Sequence, residues 1–305
     1  LFVGPNSAAI EAMGSKSKAK TLMTSHQVPV VPGYQGSDQS IDTLKQAPDA
    51  KISEFGTRRS LSTDFQRMVN DILSKEIPDQ YIGTSNVLLA KEMWWVNPIW
   101  TNAHELRMIP TAMHDNPFSI TQELYDIDRK WQQHHKWLWI LLPDTYWSSA
   151  YFRDCPKDIV EWHDWVRFDS KDPMIAIPEY IDFLLENDLD PMKKMWIPSD
   201  WLTARKVVEI QKAFRDKLGR ISYGIGTNLS NNTKWTWPRE TENMWPFWSF
   251  SVVIKPMKVQ RPDGTWMSTV KLSDNPGKHM WDIERVQFMK SIFWSMWLEE
   301  QEITV

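Results

Sequence analysis

The chain has 305 residues, with 35 basic and 39 acidic side chains and a net charge of −4. That length is sufficient for one large α/β domain or two smaller domains. The near balance of charge excludes a global positive field that would recruit nucleic acid or an acidic membrane. Cys155 is the only cysteine, which excludes an intrachain disulfide framework and is typical of a reducing, cytoplasmic compartment. The longest apolar run, residues 137–143, is too short to cross a bilayer.

In chain order, residues 1–48 differ in character from the rest of the sequence. They predict a loop, a helix from about Ser7 to Ser25, a short strand in VPVVPG and a second helix near Ser40. From KISEFGTRRS at residue 51 onward, short apolar strands alternate with amphipathic helices such as FQRMVNDILS. This alternation is typical of parallel βα units, so we predict an α/β fold with a domain boundary between residues 48 and 49.

Two turns that follow predicted strands carry polar side chains suited to anions. The first, in SEFGTRR, places Arg58 and Arg59 behind a Gly-Thr step, where planar guanidinium groups can bind a carboxylate or phosphate through paired hydrogen bonds. The alternative is a pair of solvated arginines at the start of a helix. The second turn, in YIGTSNV, offers Thr84 and Ser85, which either cap the next helix or contact a substrate.

Two later strand ends have the same arrangement. In SYGIGTNLS, the backbone amides around Gly224, Gly226 and Thr227 form a candidate anion nest, with an ordinary turn as the alternative. In IPSDWL, Ser199 and Asp200 stand at a strand-to-helix junction, where an N-cap is the simpler explanation.

The chemically reactive candidates are a histidine and an aspartate-rich turn. His104 in TNAHEL can be a general base, a metal ligand or a nucleophile, although a lone histidine is more often structural. The segment HELRM lacks the second histidine of a zinc-protease helix, so no metal site is predicted. In VRFDSKDP, Arg167, Asp169 and Asp172 are suited to holding a sugar hydroxyl or a magnesium-bound diphosphate. The alternative for these aspartates is a turn before Pro173.

Seven stretches together resemble, in this order, the signature blocks of the nicotinate phosphoribosyltransferase family: EFGTRRS, YIGTSNVLLAKE, TNAHELRMIPTAMHDNPF, VRFDSKDP, IPSDWL, SYGIGTNLS and VKLSDNPGKHM. The resemblance covers residues 51–305 and lacks the N-terminal third of the family. It implies a type II phosphoribosyltransferase fold, here an incomplete irregular α/β barrel over residues 49–305 with a short α/β fragment before it. It also implies a homodimer that makes nicotinate mononucleotide and pyrophosphate from nicotinate and phosphoribosyl pyrophosphate, with Mg²⁺ and ATP hydrolysis.

The resemblance also implies roles for individual residues. His104 matches the histidine that ATP phosphorylates. Arg58 matches the arginine facing nicotinate and the phosphoribosyl group, and Arg167 the arginine beside the aspartate-rich turn. The ribose and diphosphate region would be lined by Asp169 and Asp172, and the 5-phosphate cradled by Gly226 and Thr227. The remaining substrate-binding candidates are Arg59, Thr84, Ser85, Ser199, Asp200 and Gly224. Lys171 departs from the family, in which many members have glycine at that position.

Residues 1–48 are similar to a different enzyme, the biotin carboxylase subunit of acyl-CoA carboxylases, in which Lys16 matches a nucleotide-contacting lysine. We therefore interpret the chain as a catalytic portion of a phosphoribosyltransferase joined to a carboxylase fragment. The alternatives are a biotin-dependent carboxylase fragment, an inactive chimeric chain, and a tryptophan-rich module that binds sugars or single-stranded nucleic acid by stacking.

Tryptophan is anomalously frequent, with 19 residues against 11 glycines. Most tryptophans stand beside turn-forming residues. The family pattern has glycine at Trp100, Trp147, Trp165 and Trp201, where an indole in a left-handed or closely packed turn would be strongly destabilising. We interpret this as a codon, with UGA as the candidate, that the source organism reads as glycine.

Overall fold

The computed structural model describes residues 40–231, 252–274 and 282–293. Most of the carboxylase-like segment, including Lys16, lies outside the described residues. The boundary after residue 48 stays a prediction. Leu44 and Ala47 pack into the same buried cluster as Ile52 of the first strand.

The strands are β1 (Lys51–Glu54), β2 (Tyr81–Thr84), β3 (Ile140–Leu141), β4 (Trp165–Phe168), β5 (Met195–Pro198), β6 (Arg220–Ile225), β7 (Lys258–Gln260) and β8 (Trp266–Ser268). The helices are α1 (Ser40–Leu44), α2 (Thr63–Glu76), α3 (Val87–Glu92), α4 (Glu105–Ala112), α5 (Pro117–His134), α6 (Ser148–Arg153), α7 (Lys157–Trp162), α8 (Pro173–Glu186), α9 (Ala204–Phe214), α10 (Thr227–Ser230) and α11 (Ile283–Phe293). Short 3-10 turns cover Pro143–Thr145 and Pro191–Lys193.

Strands β1 to β6 form one parallel sheet in the order β2-β1-β6-β5-β4-β3. This is the chain order of a closed ring of strands, opened between β2 and β3. Helices connect the successive strands, as parallel pairing requires. The predicted mixed α/β fold with an incomplete barrel is confirmed. Strands β7 and β8 form a separate antiparallel pair.

Local sequence signals begin several of these helices. The Ser62 side chain accepts a hydrogen bond from the Phe65 amide at the start of α2, and Thr203 caps α9 in the same way. Helix α5 begins with Asn116 as its cap and Pro117 in its first turn, where proline loses no hydrogen bond.

The core lies between the sheet and the helices that cover it. Its centre includes Ile52, Val166, Trp196 and Tyr223 from the strands, all buried. Burying one such apolar side chain stabilises the fold by about 1.5–3 kcal/mol. Within the described residues, no helix is long and apolar enough to cross a membrane.

Several tryptophans test the prediction that these residues occupy turns. Trp165 and Trp196 lie in β4 and β5, so the prediction that such residues occupy turns is wrong for these two. Trp147 and Trp201 do occupy turns, with φ angles of 68° and 45°. Those angles fall in the left-handed region that favours glycine. The prediction of a strained turn is therefore confirmed at these two positions.

Candidate active site

A cavity of about 490 Å³ opens at the carboxyl ends of the parallel strands. This is the edge at which α/β barrels carry their functional loops. Residues on its wall come from segments that follow β1, β2, β4, β5 and β6, and from the start of α4. The wall comprises Phe55, Thr57, Arg58, Arg59, Ser85, Ile99, Trp100, Thr101, Ala103, His104, Glu105, Arg167, Asp169, Ser199, Gly226, Val253, Ile254 and Lys255.

His104 stands at the N-terminal end of α4 and is only 4% exposed. Its Nδ1 lies 3.0 Å from the Thr145 hydroxyl, and its Nε2 lies 3.3 Å from Asp169 Oδ2. Asp144 Oδ2 is 3.8 Å from the same Nε2. The imidazole is therefore fixed from both sides, with its Nε2 side turned towards two carboxylates.

Asp169 is the carboxylate shared by the charged groups of the site. The Arg167 guanidinium is 3.0 Å from Asp169 Oδ1, and the Ser199 hydroxyl donates to the same oxygen at 2.8 Å. Burial by itself would raise the pKa of Asp169, but Arg167 and the hydrogen bond with His104 hold it well below its usual range. Asp169 is consequently a carboxylate, with a negative charge that faces the cavity.

The protonation state of His104 follows from these neighbours. Burial lowers the pKa of His104 to about 4, against the opposing effect of Asp144, so the imidazole is neutral at neutral pH. Because Asp169 is ionised, the hydrogen-bond network assigns the ring proton to Nε2, which donates to Asp169, while Nδ1 accepts from Thr145. A ring nitrogen that carries a proton has no free lone pair, so attack through Nε2 requires the other tautomer, in which Nδ1 holds the proton and faces Thr145.

The turn after β1 carries the first two arginines. A Cβ atom at Gly56 would lie 1.9 Å from Ser230 Oγ, so only glycine fits there. Arg58 Nη1 donates to the Val252 carbonyl at 2.8 Å, and Arg59 Nη1 to the Thr227 hydroxyl at 3.3 Å. The close packing of this turn holds both guanidinium groups on the cavity wall.

A second, much smaller cavity of about 10 Å³ adjoins the first. Arg59, Ser199 and Gly226 line both cavities, and Thr227 and Trp201 line the smaller one. The predicted phosphate-binding residues Gly226 and Thr227 are therefore next to an arginine.

Four predicted residues do not reach either cavity wall. Thr84 is buried and donates to Glu54, while its neighbour Ser85 lies on the wall. Asp172 is the N-cap of α8, accepting from the Met174 amide at 2.8 Å, which agrees with the turn alternative. Gly224 packs against the Phe55 ring, and a Cβ atom at Gly224 would lie 2.6 Å from that ring. Their roles in substrate binding remain predictions.

Asp200 is the fourth of these residues. It stands with Ser199 before α9, where we predicted an N-cap, and that prediction is wrong. Thr203 caps α9, so neither Ser199 nor Asp200 does. The hydroxyl of Ser199 is instead hydrogen-bonded to Asp169, on the cavity wall. Asp200 lies beyond the wall.

The structure adds polar residues that sequence reasoning missed. Asp144 and Thr145 flank His104, and Lys271 stands 3.8 Å from Asp144. The sequence signal that could have revealed Asp144 and Thr145 is their position directly after the apolar run that contains β3. Glu105 and Lys255 lie on the wall and form an ion pair of 2.7 Å. Lys255 follows no predicted strand-to-helix junction, so no sequence signal marked it.

In the part of the chain that the structure describes, no cluster of three or more His, Cys, Asp or Glu side chains is arranged to hold a metal ion. The carboxylate of Asp169 is already bound by Arg167, Ser199 and His104.

The fold and the cavity define a class, namely α/β-barrel proteins with a basic pocket at the carboxyl ends of the strands. Four basic and two acidic side chains line this pocket. The model of the nicotinate phosphoribosyltransferase (NAPRTase) family matches residues 50–295. The chain belongs to this family, and the resemblance noted from residue 51 onward is confirmed as far as residue 295.

Solved structures agree with that assignment. The chain is similar to the nicotinate phosphoribosyltransferase of Porphyromonas gingivalis, with a TM-score of 0.72 and 27% identity over 90% of this chain and 68% of that one. The Vibrio cholerae enzyme gives a TM-score of 0.70 and 27% identity, covering 91% of this chain and 64% of that one. A putative nicotinate phosphoribosyltransferase from Saccharomyces cerevisiae gives 0.65 and 25%, with coverages of 86% and 63%. The chain spans about two thirds of the length of these proteins.

Proposed function

We propose that this chain carries the active site of a nicotinate phosphoribosyltransferase, which makes nicotinate mononucleotide and pyrophosphate from nicotinate and phosphoribosyl pyrophosphate. The observation that carries the proposal is the position of His104. It is held between Asp169 and Thr145 on the wall of a cavity that also presents three arginines. Membership of the NAPRTase family supports the same reaction.

The transfer requires negative charge in one part of the cavity and positive charge in another. Loss of pyrophosphate leaves positive charge on the ribose, which a nearby carboxylate stabilises, and Asp169 is ionised and faces the cavity. The negative charge of the diphosphate and of the nicotinate carboxylate suits the guanidinium groups of Arg58 and Arg59. Mg²⁺ bound to the diphosphate would neutralise the leaving group.

We further propose that ATP hydrolysis is coupled to the transfer through His104. In the tautomer with the ring proton on Nδ1, the neutral imidazole attacks the γ-phosphorus of ATP through the lone pair of Nε2, and the bond from that phosphorus to ADP breaks. The ionised Asp169 lies beside Nε2 and stabilises the positive charge that the ring then carries. Water later hydrolyses the phosphorylated imidazole. The low pKa of His104 supports this role because the ring is unprotonated at neutral pH.

The test is nicotinate mononucleotide formation by the full chain with nicotinate, phosphoribosyl pyrophosphate and Mg²⁺, with and without ATP. We expect His104→Ala to lose the ATP stimulation and to keep slow transfer. His163→Gln is the matched control, since His163 is buried away from the cavity and should leave the stimulation intact. Equal stimulation by ATP in wild type and His104→Ala would remove His104 from the mechanism.

A further inference from the structure

Residues 253–255 line the main cavity, and the segment 252–255 is held by a side-chain contact at each end. The Val252 carbonyl accepts a hydrogen bond from Arg58 Nη1 at 2.8 Å. Three residues later, Lys255 Nζ donates to Glu105 Oε1 at 2.7 Å. Glu105 directly follows His104 and lies on the same wall. The segment therefore brings the Lys255 ammonium group to the part of the cavity wall that carries His104 and Glu105.

The environment of Lys255 is that of a charge inside a site rather than on a surface. Its side chain is 11% exposed and that of Glu105 is 27% exposed. A lysine ammonium has three hydrogen-bond donors, and among the described residues the structure gives this one a single acceptor, on Glu105. Lys255 can therefore take further acceptors that enter the cavity.

We propose that Lys255 is a phosphate-binding residue of this cavity, held by Glu105 until a diphosphate group of the substrate takes the place of that carboxylate. The proposal rests on the proposed function, from which the diphosphate comes. No covalent bond changes in this exchange. The ammonium keeps its charge, and the half-buried Glu105 carboxylate turns towards solvent.

Charge decides the direction of the exchange. A diphosphate carries more negative charge than one carboxylate and offers several oxygens to the same ammonium, so it is the stronger partner for lysine. The other basic wall residues, Arg58, Arg59 and Arg167, attract the same ligand. Glu105 opposes it, since its negative charge stands on the same wall.

The experiment is calorimetric titration of the full chain with magnesium pyrophosphate. We expect Lys255→Ala to weaken binding about tenfold, which is the loss of one charge-assisted contact. Lys255→Gln should weaken it similarly, which provides a second variant if the first does not fold. Glu105→Gln should have the opposite effect and tighten binding, because it removes the competing charge. Lys258→Ala is the matched control, since Lys258 lies three residues further on and outside both cavities.

The same titration with magnesium ADP distinguishes the two sources of a diphosphate. A loss in Lys255→Ala restricted to pyrophosphate assigns the lysine to the sugar donor, and an equal loss for ADP assigns it to the nucleotide. Unchanged pyrophosphate affinity in folded Lys255→Ala and Lys255→Gln, beside normal wild-type binding, overturns only the role of Lys255. Wild-type protein that binds no pyrophosphate overturns the proposed function itself.

Discussion

At the scale of single residues, the backbone of Trp201 makes a prediction that is independent of the reaction. Its φ angle is 45°, and its side chain is 56% exposed. A side chain with a Cβ costs about 1–2 kcal/mol in the left-handed region. We expect the free energy of unfolding of Trp201→Gly to exceed that of Trp201→Ala by about 1 kcal/mol, because both lose the indole and only glycine relieves the strain. Urea unfolding of the two variants measures this difference.

Trp165 provides the matched control for Trp201, because it lies in β4 with extended backbone. There glycine gains nothing and loses more entropy on folding, so Trp165→Gly should be less stable than Trp165→Ala by about 0.5–1 kcal/mol. The order of glycine and alanine is thus expected to reverse between the two positions. The same order at both would remove the structural support for reading a tryptophan codon as glycine at position 201.

At the scale of elements, the buried carboxylate of Glu54 joins β1, α2 and β2. Glu54 ends β1 and is fully buried. Its oxygens accept from the Gly56 amide, from Gln66 Nε2 of α2 at 2.7 Å and from the Thr84 hydroxyl of β2 at 2.6 Å. Burial raises the pKa of Glu54 in spite of these donors. The turn that carries Arg58 therefore depends on this one side chain.

We expect Glu54→Ala to lower the free energy of unfolding by about 3 kcal/mol, because buried donors lose their acceptor and a cavity remains. Denaturant unfolding measures the change. Glu76→Ala is the matched control, since Glu76 pairs with Lys45 in an exposed salt bridge, and such pairs contribute little. Equal stability of Glu54→Ala and the control would show that the three donors find other partners.

The element scale also explains which site residues the sequence could reveal. Strands alternating with helices predict parallel βα units, and parallel strands place their carboxyl ends at one edge of the sheet. Arg58, Ser199 and Gly226 each follow a strand and Arg167 lies near the carboxyl end of β4, so their convergence was predictable from local pattern. Lys255 was not predictable, because tertiary packing rather than a strand end brings its segment to the wall.

Local rules also compete with each other at strand ends. Asp172 and Asp169 occupy the same aspartate-rich turn, yet Asp172 caps α8 while Asp169 faces the cavity. Both are acidic residues after one strand. The family resemblance assigned both to the substrate, while the sequence alone left a turn as the alternative. The difference depends on which carboxylate lies beside the free amides of the helix start, and this is set by the turn geometry.

At the scale of the whole molecule, two buried histidines link stability to pH. Burial lowers the pKa of His104 to about 4 and that of His163 to about 3. His163 Nδ1 donates to the Val160 carbonyl at 2.8 Å, and its Nε2 accepts from the Tyr180 hydroxyl at 2.7 Å, so the neutral ring is fully hydrogen-bonded. Both rings gain a proton more readily when the chain unfolds.

The sign of the effect follows from proton binding. Below the ordinary histidine pKa of about 6.5, the unfolded chain binds protons that the folded chain does not, so stability falls as the pH falls. Each histidine then removes about 2 kcal/mol between pH 6.5 and pH 5. Asp274, whose pKa burial raises to about 6, acts in the opposite direction because the folded state holds its proton. Burial also raises the pKa of Glu54 and of Asp128, which act in the same direction as Asp274, so the contribution of one histidine is isolated by substituting it.

His163 allows this prediction to be tested without disturbing the cavity. In His163→Gln the ionisable ring is gone, so the loss of unfolding free energy between pH 7 and pH 5 should be smaller than in wild type by about 2 kcal/mol. Urea unfolding at the two pH values measures both losses, and the contributions of His104 and Asp274 cancel in the comparison. His135→Gln is the control, because it makes the same substitution at an exposed ring. An equal loss in wild type and His163→Gln would mean that His163 binds its proton in the folded state, which its contacts with Val160 and Tyr180 oppose.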